Sequence, residues 1–460
     1  LLVCLSVLLQ VSSSGYAVPT TQLAILLGGN VRVLFISKEG DGLGVAQRLV
    51  LEGHNVDVYV ADDRFKNAGR GIVGRVGDWR LAIRRADLVI ADCVGLGKYE
   101  DIVRQTNRPS IGFSRALDTI ELDRRKGMEL FERAGIKTPE TLYFDKPADA
   151  LKLTAQHGWG DGWVVKANGN ISTAKTAVVK DELLWPRAVR QLPPECSGII
   201  QRIVSGVEVS TEGWFNGSSF VKPFNHTFED KRFLAGDLGQ NTGCMGNVVL
   251  RADSNRLTRD TIERTEPFLR MLGYRGPFDI NTIVNADGAW ALEVTSRMGY
   301  DAVEALFEGL DEPAGDFLFD IAMGTKRDMA LTADTMIAVR LSIPPWPMRR
   351  PDRDSGGEPV LGIDDDTLLH LFLTDLAKDS GEFVTAGGDG VLLKATAIGA
   401  VTPPKPLNNG KRSRPDYTYE ARRRVYRLLD KIKVSSKQYR TDIGARVNND
   451  IAQLKEWGWL

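Results

Sequence analysis

The sequence predicts a mixed chain, α/β at its start and α+β beyond, and three observations carry that prediction. Near the start, short apolar runs rich in β-branched residues alternate with helical spacing: VRVLFIS at 31–37, VDVYVAD at 56–62, ADLVIAD at 86–92 and PSIGFS at 109–114. Strands separated by helix-length segments build βαβ units, so an N-terminal doubly wound parallel sheet is expected. From about 140 to 300, strand-like runs follow one another with little helix between them: WVVKA, AVVK, GIIQRIV, VEVSTEGWF, SSFVKPFNH, FDINTIV and AWALEV. That order predicts an antiparallel sheet carrying long loops. The third is a β-rich stretch at 360–446 behind PPWPMRRPDRDSGGEP (344–359), whose Pro, Gly and charge read as an exposed loop. A small C-terminal β-rich domain is expected there.

The 460 residues correspond to about three domains. Hydrophobic residues make up 43% and charged residues 26%, an ordinary globular balance, while 46 glycines exceed the usual ~7%. Lys plus Arg (59) nearly cancels Asp plus Glu (60), so no global field recruits nucleic acid or an anionic membrane, and any anion must be held locally. Cys4, Cys93, Cys196 and Cys244 are scattered without CxxC pairing, which excludes a disulfide framework and a zinc knuckle and predicts a reducing, cytoplasmic setting. LLVCLSVLLQV followed by SSSGYA has signal-peptide character, yet no Met or basic residue precedes it and the first basic residue is Arg32. Residues 1–29 are therefore set apart as an extension, signal-like or artefactual, and the fold is expected to begin at Asn30. The expected divisions are 30–117 for a Rossmann-like domain, 118–345 for the body with a small lobe at about 140–205, 346–446 for the C-terminal domain, and 447–460 for a tail. LDRRKGMELFERAGI (122–136) reads as a helix ended by Gly135 and Pro139.

Four segments can carry chemistry. Gly40, Gly42 and Gly44 form a turn after the first strand, with Asp62 or Asp63 about 20 residues on, where an acid would bind ribose. The pattern is GxGxG rather than GxGxxG, so a tight turn or a substrate-phosphate contact outweighs a nicotinamide-dependent oxidoreductase. Gly169 to Lys175 and Thr176 falls one residue from a P-loop, but the strand-like AVVK follows instead of a helix. With Lys166 before it and Lys175 at its far end, it predicts a hairpin that closes over a triphosphate; standing alone, it would be an exposed polar hairpin. EDKRFLAGDLGQNTGCMG (229–246) reads as a long loop without secondary structure, which in a compact domain is functional or disordered. In ALEVTSRMG (291–299), Glu293 alternates with apolar Leu292 and Val294, Thr295 shares its face and Arg297 ends the strand. A carboxylate, a hydroxyl and an arginine so placed suit a metal and a phosphate; any one alone would be a solvated strand face.

In this order the segments resemble an ATP-grasp ligase, and more narrowly the phosphoribosylamine-glycine ligases of purine biosynthesis, over roughly 120–446. The family's DHKR...GD.GPNTGGMG segment corresponds without gaps to Glu229, Asp230, Lys231 and Arg232 through Asp237, Gly239, Asn241, Thr242, Gly243, Met245 and Gly246. Its VVKADG...GKGV hairpin corresponds to Val165, Lys166 and Gly169 with Lys175, its EEFL.GEE segment to Gln201–Val204 and Glu208, and its EFN.RFGDPE strand to Glu293, Thr295, Arg297 and Gly299. Ala386–Val391 and Tyr439–Arg446 match its NGGRVL and YR.DIG.R segments.

The resemblance implies an ATP-grasp body with ATP and magnesium or manganese as cofactors, glycine and phosphoribosylamine as partners, and a monomer rather than an oligomer. It implies that Lys166 and Arg124 contact the ATP phosphates, with Gly169 to Lys175 closing over them. Gln201 to Val204 would hold adenine and Glu208 the ribose. Glu293 and Thr295 would ligate the metal, with Asp279 or Asn281 able to take the place of Thr295. Arg297 would steady the transferred phosphoryl group, with Lys231 and Asp237 also catalytic, and Asp237, Asn241, Thr242 and Gly243 would position the amino acid carboxylate. Gly42 would face the amine substrate. The chain departs from the family at the first turn, where GGREH is replaced by Glu39-Gly-Asp-Gly-Leu, and at the metal Asn, which is Thr295. Two readings therefore stand beside the main one: a carboxylate-amine ligase with a different amine, and a nucleotide-binding module without turnover.

Overall fold

The computed structural model describes residues 30–169, 176–348, 356–405 and 415–460. Residues 1–29, 170–175 with Lys175, 349–355 and 406–414 lie outside the described residues.

The N-terminal segment folds as anticipated. Strands β1 (Arg32–Ser37), β2 (Asn55–Val60), β3 (Gly74–Arg75), β4 (Leu88–Ala91) and β5 (Ser110–Ile111) form a parallel sheet in the order β3-β2-β1-β4-β5. β1 is central and covered on both faces, which is why it reads as an unbroken apolar run rather than an alternating one. Helix α1 (Leu43–Leu51) follows β1 directly. The chain reverses direction across the sheet between β1 and β4, so a crevice opens at their C-terminal ends, at Ser37–Gly42 and Asp92.

Helix α2 (Arg115–Leu122) leads out of this sheet. The helix read from 122 begins instead as α3 (Arg124–Arg133), because the Asp123 side chain accepts the Arg125 N–H and starts a new helix there. A four-stranded antiparallel sheet comes next, in the order β6-β9-β7-β8, from β6 (Thr141–Phe144), β7 (Trp163–Ala167), β8 (Thr176–Val179) and β9 (Gly198–Arg202). Helix α4 (Pro147–His157) packs against it.

The body is an eight-stranded sheet containing β10 (Val207–Asn216), β11 (Phe220–Leu234), β12 (Leu238–Ala252), β13 (Arg275–Asn285), β14 (Gly288–Thr295), β15 (Thr335–Ser342), β16 (Leu371–Leu373) and β19 (Val391–Gly399). Its order is β14-β13-β10-β11-β12-β15-β19-β16, and β17 (Leu376–Asp379) pairs with β18 (Glu382–Thr385) beside it. Two expectations are corrected here. The stretch 229–246 is not a loop: β11 and β12 run on as one hairpin whose turn is Ala235–Asp237. Gly and Asn disguise the strands, and the register shifts between Asp230 and Leu234 accommodate them. Residues 447–460 are not a tail: helix α8 (Val447–Glu456) buries Val447, Ile451 and Leu454, and Trp459 beyond its end joins the same core. The strands of 360–446 do not close on themselves either, since β19 pairs with β15 and extends the central sheet. Three helices fall around this sheet: α5 (Ala302–Glu308) packs on β12, β15 and β19, α6 (Ala314–Met323) on β10, and α7 (Tyr419–Lys431) on β15 and β19. No described helix is long and apolar enough to cross a membrane.

The Trp459 indole donates to the Asn285 carbonyl at 2.8 Å, and the Trp459 carbonyl accepts from Leu257 N–H. Trp459→Ala is expected to destabilise the protein by about 3–5 kcal/mol in urea unfolding, as for a buried aromatic, whereas a solvated tail would show no change.

Candidate active site

Side chains alternate along a strand, and residues paired across strands share a face. The central sheet uses this to gather polar groups on one side. Glu293 of β14 lies opposite Asn281 of β13, and Thr295 lies opposite Asp279. Asp279 lies opposite Glu212 of β10, and Asn281 opposite Ser210. Across the next pair, Glu212 faces Asn225 and Ser210 faces Thr227 on β11, and Glu229 faces Asn247 of β12. Asn225 donates to Thr227 at 3.1 Å, which ties this row together.

Cations reach the row from three directions. Arg124, at the first turn of α3, pairs with Glu293 at 2.6 Å. Its backbone N–H is held by Asn168 Oδ1 at 2.9 Å, which couples the start of α3 to the end of β7. Lys166 of β7 is buried, with Nζ directed to the Leu292 carbonyl at 3.5 Å. Lys231 of β11 pairs with Glu208 at 2.8 Å and Glu229 at 3.2 Å. Burial would raise the Glu293 pKa, but Arg124, Lys231 and Lys166 outweigh it and hold the carboxyl well below its usual range. Burial likewise opposes the charge on Lys231, yet Glu229, Glu208 and Glu293 keep its pKa far above normal. For Lys166 burial wins, with Arg124 and Lys231 adding to it against Glu293, and its pKa falls to about 8. Burial lifts Glu212 to about 7.

The structure thus brings Arg124, Lys166, Glu208, Lys231 and Glu293 together, with Thr295 on the same strand face. Arg297 stands at the end of β14, its Nε on Glu121 at 3.2 Å and its guanidinium 4.2 Å from the Tyr300 ring centroid. Gln201 is inside β9, its backbone paired in the sheet and its side chain donating to Thr141 at 3.0 Å; Val204 lies just beyond the strand, at the passage to β10. Gly169, with φ of 82°, follows β7 and donates to the Leu122 carbonyl at 2.8 Å.

Several expected residues are placed differently. Asp237 is not among the clustered groups; it sits at the hairpin tip, where it accepts from Arg440 Nη1 at 2.9 Å. Asn241 is exposed on β12 opposite Arg232, and the Thr242 hydroxyl donates to the Lys231 carbonyl at 2.8 Å. Gly243 is nearer the centre, since a Cβ there would come within 3.6 Å of the Tyr300 ring. Gly42 does not offer its amide to a phosphate; its N–H is taken by Asp92 Oδ2 at 2.7 Å. Asp62 is engaged locally by the Arg64 N–H and guanidinium, and Asp63 lies exposed beside it at the start of the short turn Asp63–Phe65.

Sequence reasoning missed the clamp around the hairpin root. Arg440 pairs with Asp442, and Arg446 pairs with Asp230 at 3.2 Å and donates to the Glu229 carbonyl. The YRTDIGAR segment therefore fixes the strand that carries Glu229 and Lys231. Glu212 and Asn225 were missed too, although the period of two in Glu208, Ser210, Glu212 within an apolar run was there to be read.

Residues 125–271 match the family described as phosphoribosylglycinamide synthetase, ATP-grasp (A) domain. The chain carries an ATP-grasp domain of that type. Along its length this ATP-grasp protein is 25% identical over 423 residues to the phosphoribosylamine-glycine ligase of Streptomyces coelicolor, covering 88% of this chain and 91% of that one. To the ligase of Thermotoga maritima it is 24% identical over 434 residues, covering 90% and 99%. The crystal structure of the Thermotoga maritima ligase superposes with a TM-score of 0.67 at 19% identity, over 90% of this chain and 100% of that one, which establishes the shared fold.

An ATP-grasp protein uses ATP and a divalent metal, and the donor set fits one. Glu293 offers a carboxylate, and the Asn281 Oδ1 opposite it is buried without a hydrogen-bond partner. Among the described residues no three His, Cys, Asp or Glu side chains converge on a common point. A hard cation held by one carboxylate and an amide oxygen takes its other ligands from phosphate and water. Arg124 and Lys166 then stand where nucleotide phosphates can replace Glu293 as their counter-charge.

Lys166 is charged below about pH 8 and loses its proton as pH rises past that value. kcat/KM for ATP is accordingly expected to fall above about pH 8 in the wild type and to stay level there in Lys166→Arg, measured by initial rates across pH 6.5–9.5.

Proposed function

We propose that this chain joins glycine to 5-phosphoribosylamine at the expense of ATP, with magnesium or manganese, through a glycyl phosphate. ADP, phosphate and glycinamide ribonucleotide are the products. It works as a monomer in the cytoplasm, on small molecules alone. The observation that carries the reading is the meeting of Glu293, Arg124, Lys166 and Lys231 on one sheet face, within a chain similar over most of its length to phosphoribosylamine-glycine ligases.

The chemistry asks for positioning and charge neutralisation, with no protein nucleophile. Lys166 and Arg124 hold the ATP phosphates, and the passage from β9 through Val204 to β10 lies where adenine and ribose would seat beside Glu208. Glu293 and Asn281, with Thr295 nearby, would hold a divalent metal, which when bound would supply further neutralisation of phosphate charge. Arg297, anchored on Glu121 and Tyr300, receives the terminal phosphoryl group as the glycine carboxylate attacks it. Asn241, Thr242 and Gly243 border the glycine site, and Asp237 acts on it only through Arg440 and the hairpin. The amine then displaces phosphate from the acyl phosphate. Lys231, held between Glu208 and Glu229, keeps the β10 and β11 carboxylates in place during this exchange.

ADP release is expected with glycine plus phosphoribosylamine generated in situ; absence of ADP above background with this and other amines would defeat the assignment. Glu293→Gln is expected to lower kcat by about 10²-fold or more, read by the same assay, because it removes the carboxylate that organises both metal and cations.

A further inference from the structure

The carboxylates on the polar face of the central sheet are not all served by the protein's own cations. Glu293 pairs with Arg124, and Glu208 and Glu229 both pair with Lys231. Glu212 of β10 and Asp279 of β13 have no ion-pair partner among the described residues, although they are only 2% and 9% exposed. They lie directly opposite each other in the ladder, and Asn225 of β11 lies opposite Glu212 on its other side. Side chains so opposed on one sheet face have Cβ atoms about 4.5–5.5 Å apart, so the three share a small volume.

That volume is rich in oxygen atoms with nothing to bind. Glu212 Oε1 and Asn225 Oδ1 are both buried without a hydrogen-bond partner, while the Asn225 amide nitrogen donates to Thr227 at 3.1 Å. Gly299 lies against the same carboxyl, since a Cβ there would come within 3.3 Å of Glu212 Oε2. Burying a carboxylate without a counter-charge is strongly unfavourable, and an unpaired amide oxygen beside it adds to the cost. A hard divalent cation relieves both penalties together. Carboxylate and amide oxygens at about 2.0–2.6 Å are the ligands such an ion prefers, and two carboxylates balance its charge.

The row Asp279, Glu212, Asn225 is separate from Glu293 and Asn281. Asp279 is two residues along β13 from Asn281, a distance of about 7 Å in a strand, whereas two metal ions that act together on one phosphate lie about 3.5–4 Å apart. The Glu293 site also takes most of its ligands from phosphate and water, while this row supplies two carboxylates and an amide from the protein itself.

We propose that Glu212, Asp279 and Asn225 bind a hard divalent cation, magnesium or manganese, that joins β13, β10 and β11 and is held whether or not nucleotide is present. It is a structural ion: it neutralises two buried carboxylates at the middle of the sheet and does not touch the transferred group. The inference goes beyond the ligase reading and stands without it, because it concerns the free protein.

The probe is Mn²⁺ alone, added to the full chain after chelation has stripped it of metal, with no nucleotide present, and followed by electron paramagnetic resonance of free Mn²⁺. Wild type is expected to bind a single Mn²⁺ per chain, in competition with Mg²⁺, and to melt at a higher temperature when it does. Glu212→Gln is expected to weaken this binding by about tenfold or more, as loss of a charged ligand does, and to lose the rise in Tm. Without metal, Glu212→Gln is expected to melt no lower than stripped wild type, since one unpaired charge is gone. Glu293→Gln is expected to bind this ion as wild type does. Asn225→Asp adds a third carboxylate and is expected to bind it more tightly, which keeps the test decisive should Glu212→Gln fail to fold. No Mn²⁺ bound without nucleotide, or binding unchanged in both Glu212→Gln and Asn225→Asp, would overturn the proposal. Loss of the ion in Glu293→Gln with retention in Glu212→Gln would place it at the nucleotide site and overturn the proposal as well.

Discussion

A carboxylate half-buried on the face of a sheet loses much of its hydration and is stabilised by the cations around it, and several separate parts of this architecture supply them to Glu293. Its three cations come from separate parts of the chain: Arg124 from the first turn of α3, Lys166 from the small lobe and Lys231 from the long hairpin. Each of these elements is therefore tied electrostatically to the same strand. Asn168 ties the small lobe to α3, and Arg446 and Arg440 tie the hairpin root to the last segment of the chain. The electrostatic balance is also what makes the site responsive. Cations that neutralise one carboxylate are already desolvated, so nucleotide phosphates can take the place of Glu293 at little further cost in lost hydration.

The central sheet divides two kinds of chemistry between its faces. One carries the polar row from Glu293 to Asn247 and, on β15 and β19, Arg340 and Lys394, paired with Asp301 and Glu304 next to and within α5. The other packs Ile337, Val339, Leu393 and Ala395 against Val425 and Leu429 of α7, with α8 completing that core. Burying ions beside a sheet is feasible because apolar packing supplies cohesion on both faces, from Val425 and Leu429 on one and from Leu306 and Phe307 of α5 with Met336 and Ala338 on the other.

Much of this was legible in the residues themselves. VRVLFIS and ADLVIAD announced a doubly buried parallel sheet because such strands carry no polar face. Glu293 between Leu292 and Val294 announced by its period of two a carboxylate facing away from one core layer, Lys166 stood before the glycine hairpin, and Arg124 was found through a resemblance in the order of motifs. What misled was local composition. The Gly- and Asn-rich 229–246 segment lacks β propensity, yet pairs as strand because its two apolar halves, ending at Phe228 and beginning at Val248, force the ladder to continue. Residues 447–460 looked dispensable because only their partners, Leu257 and Asn285, reveal that Trp459 is core.

The sequence by itself determined the class of each element and which residue types could bear charge, since periodicity and side-chain chemistry act over a few residues. It could not determine which charges face one another. Asp230 and Asp237 are equally acidic and lie in one motif, yet Asp237 ends on Arg440 at an exposed hairpin tip while Asp230 is buried against Arg446. That difference comes from pairings between residues more than 200 positions apart, and only tertiary packing, which sets burial and hence the strength of every charge interaction, decides it.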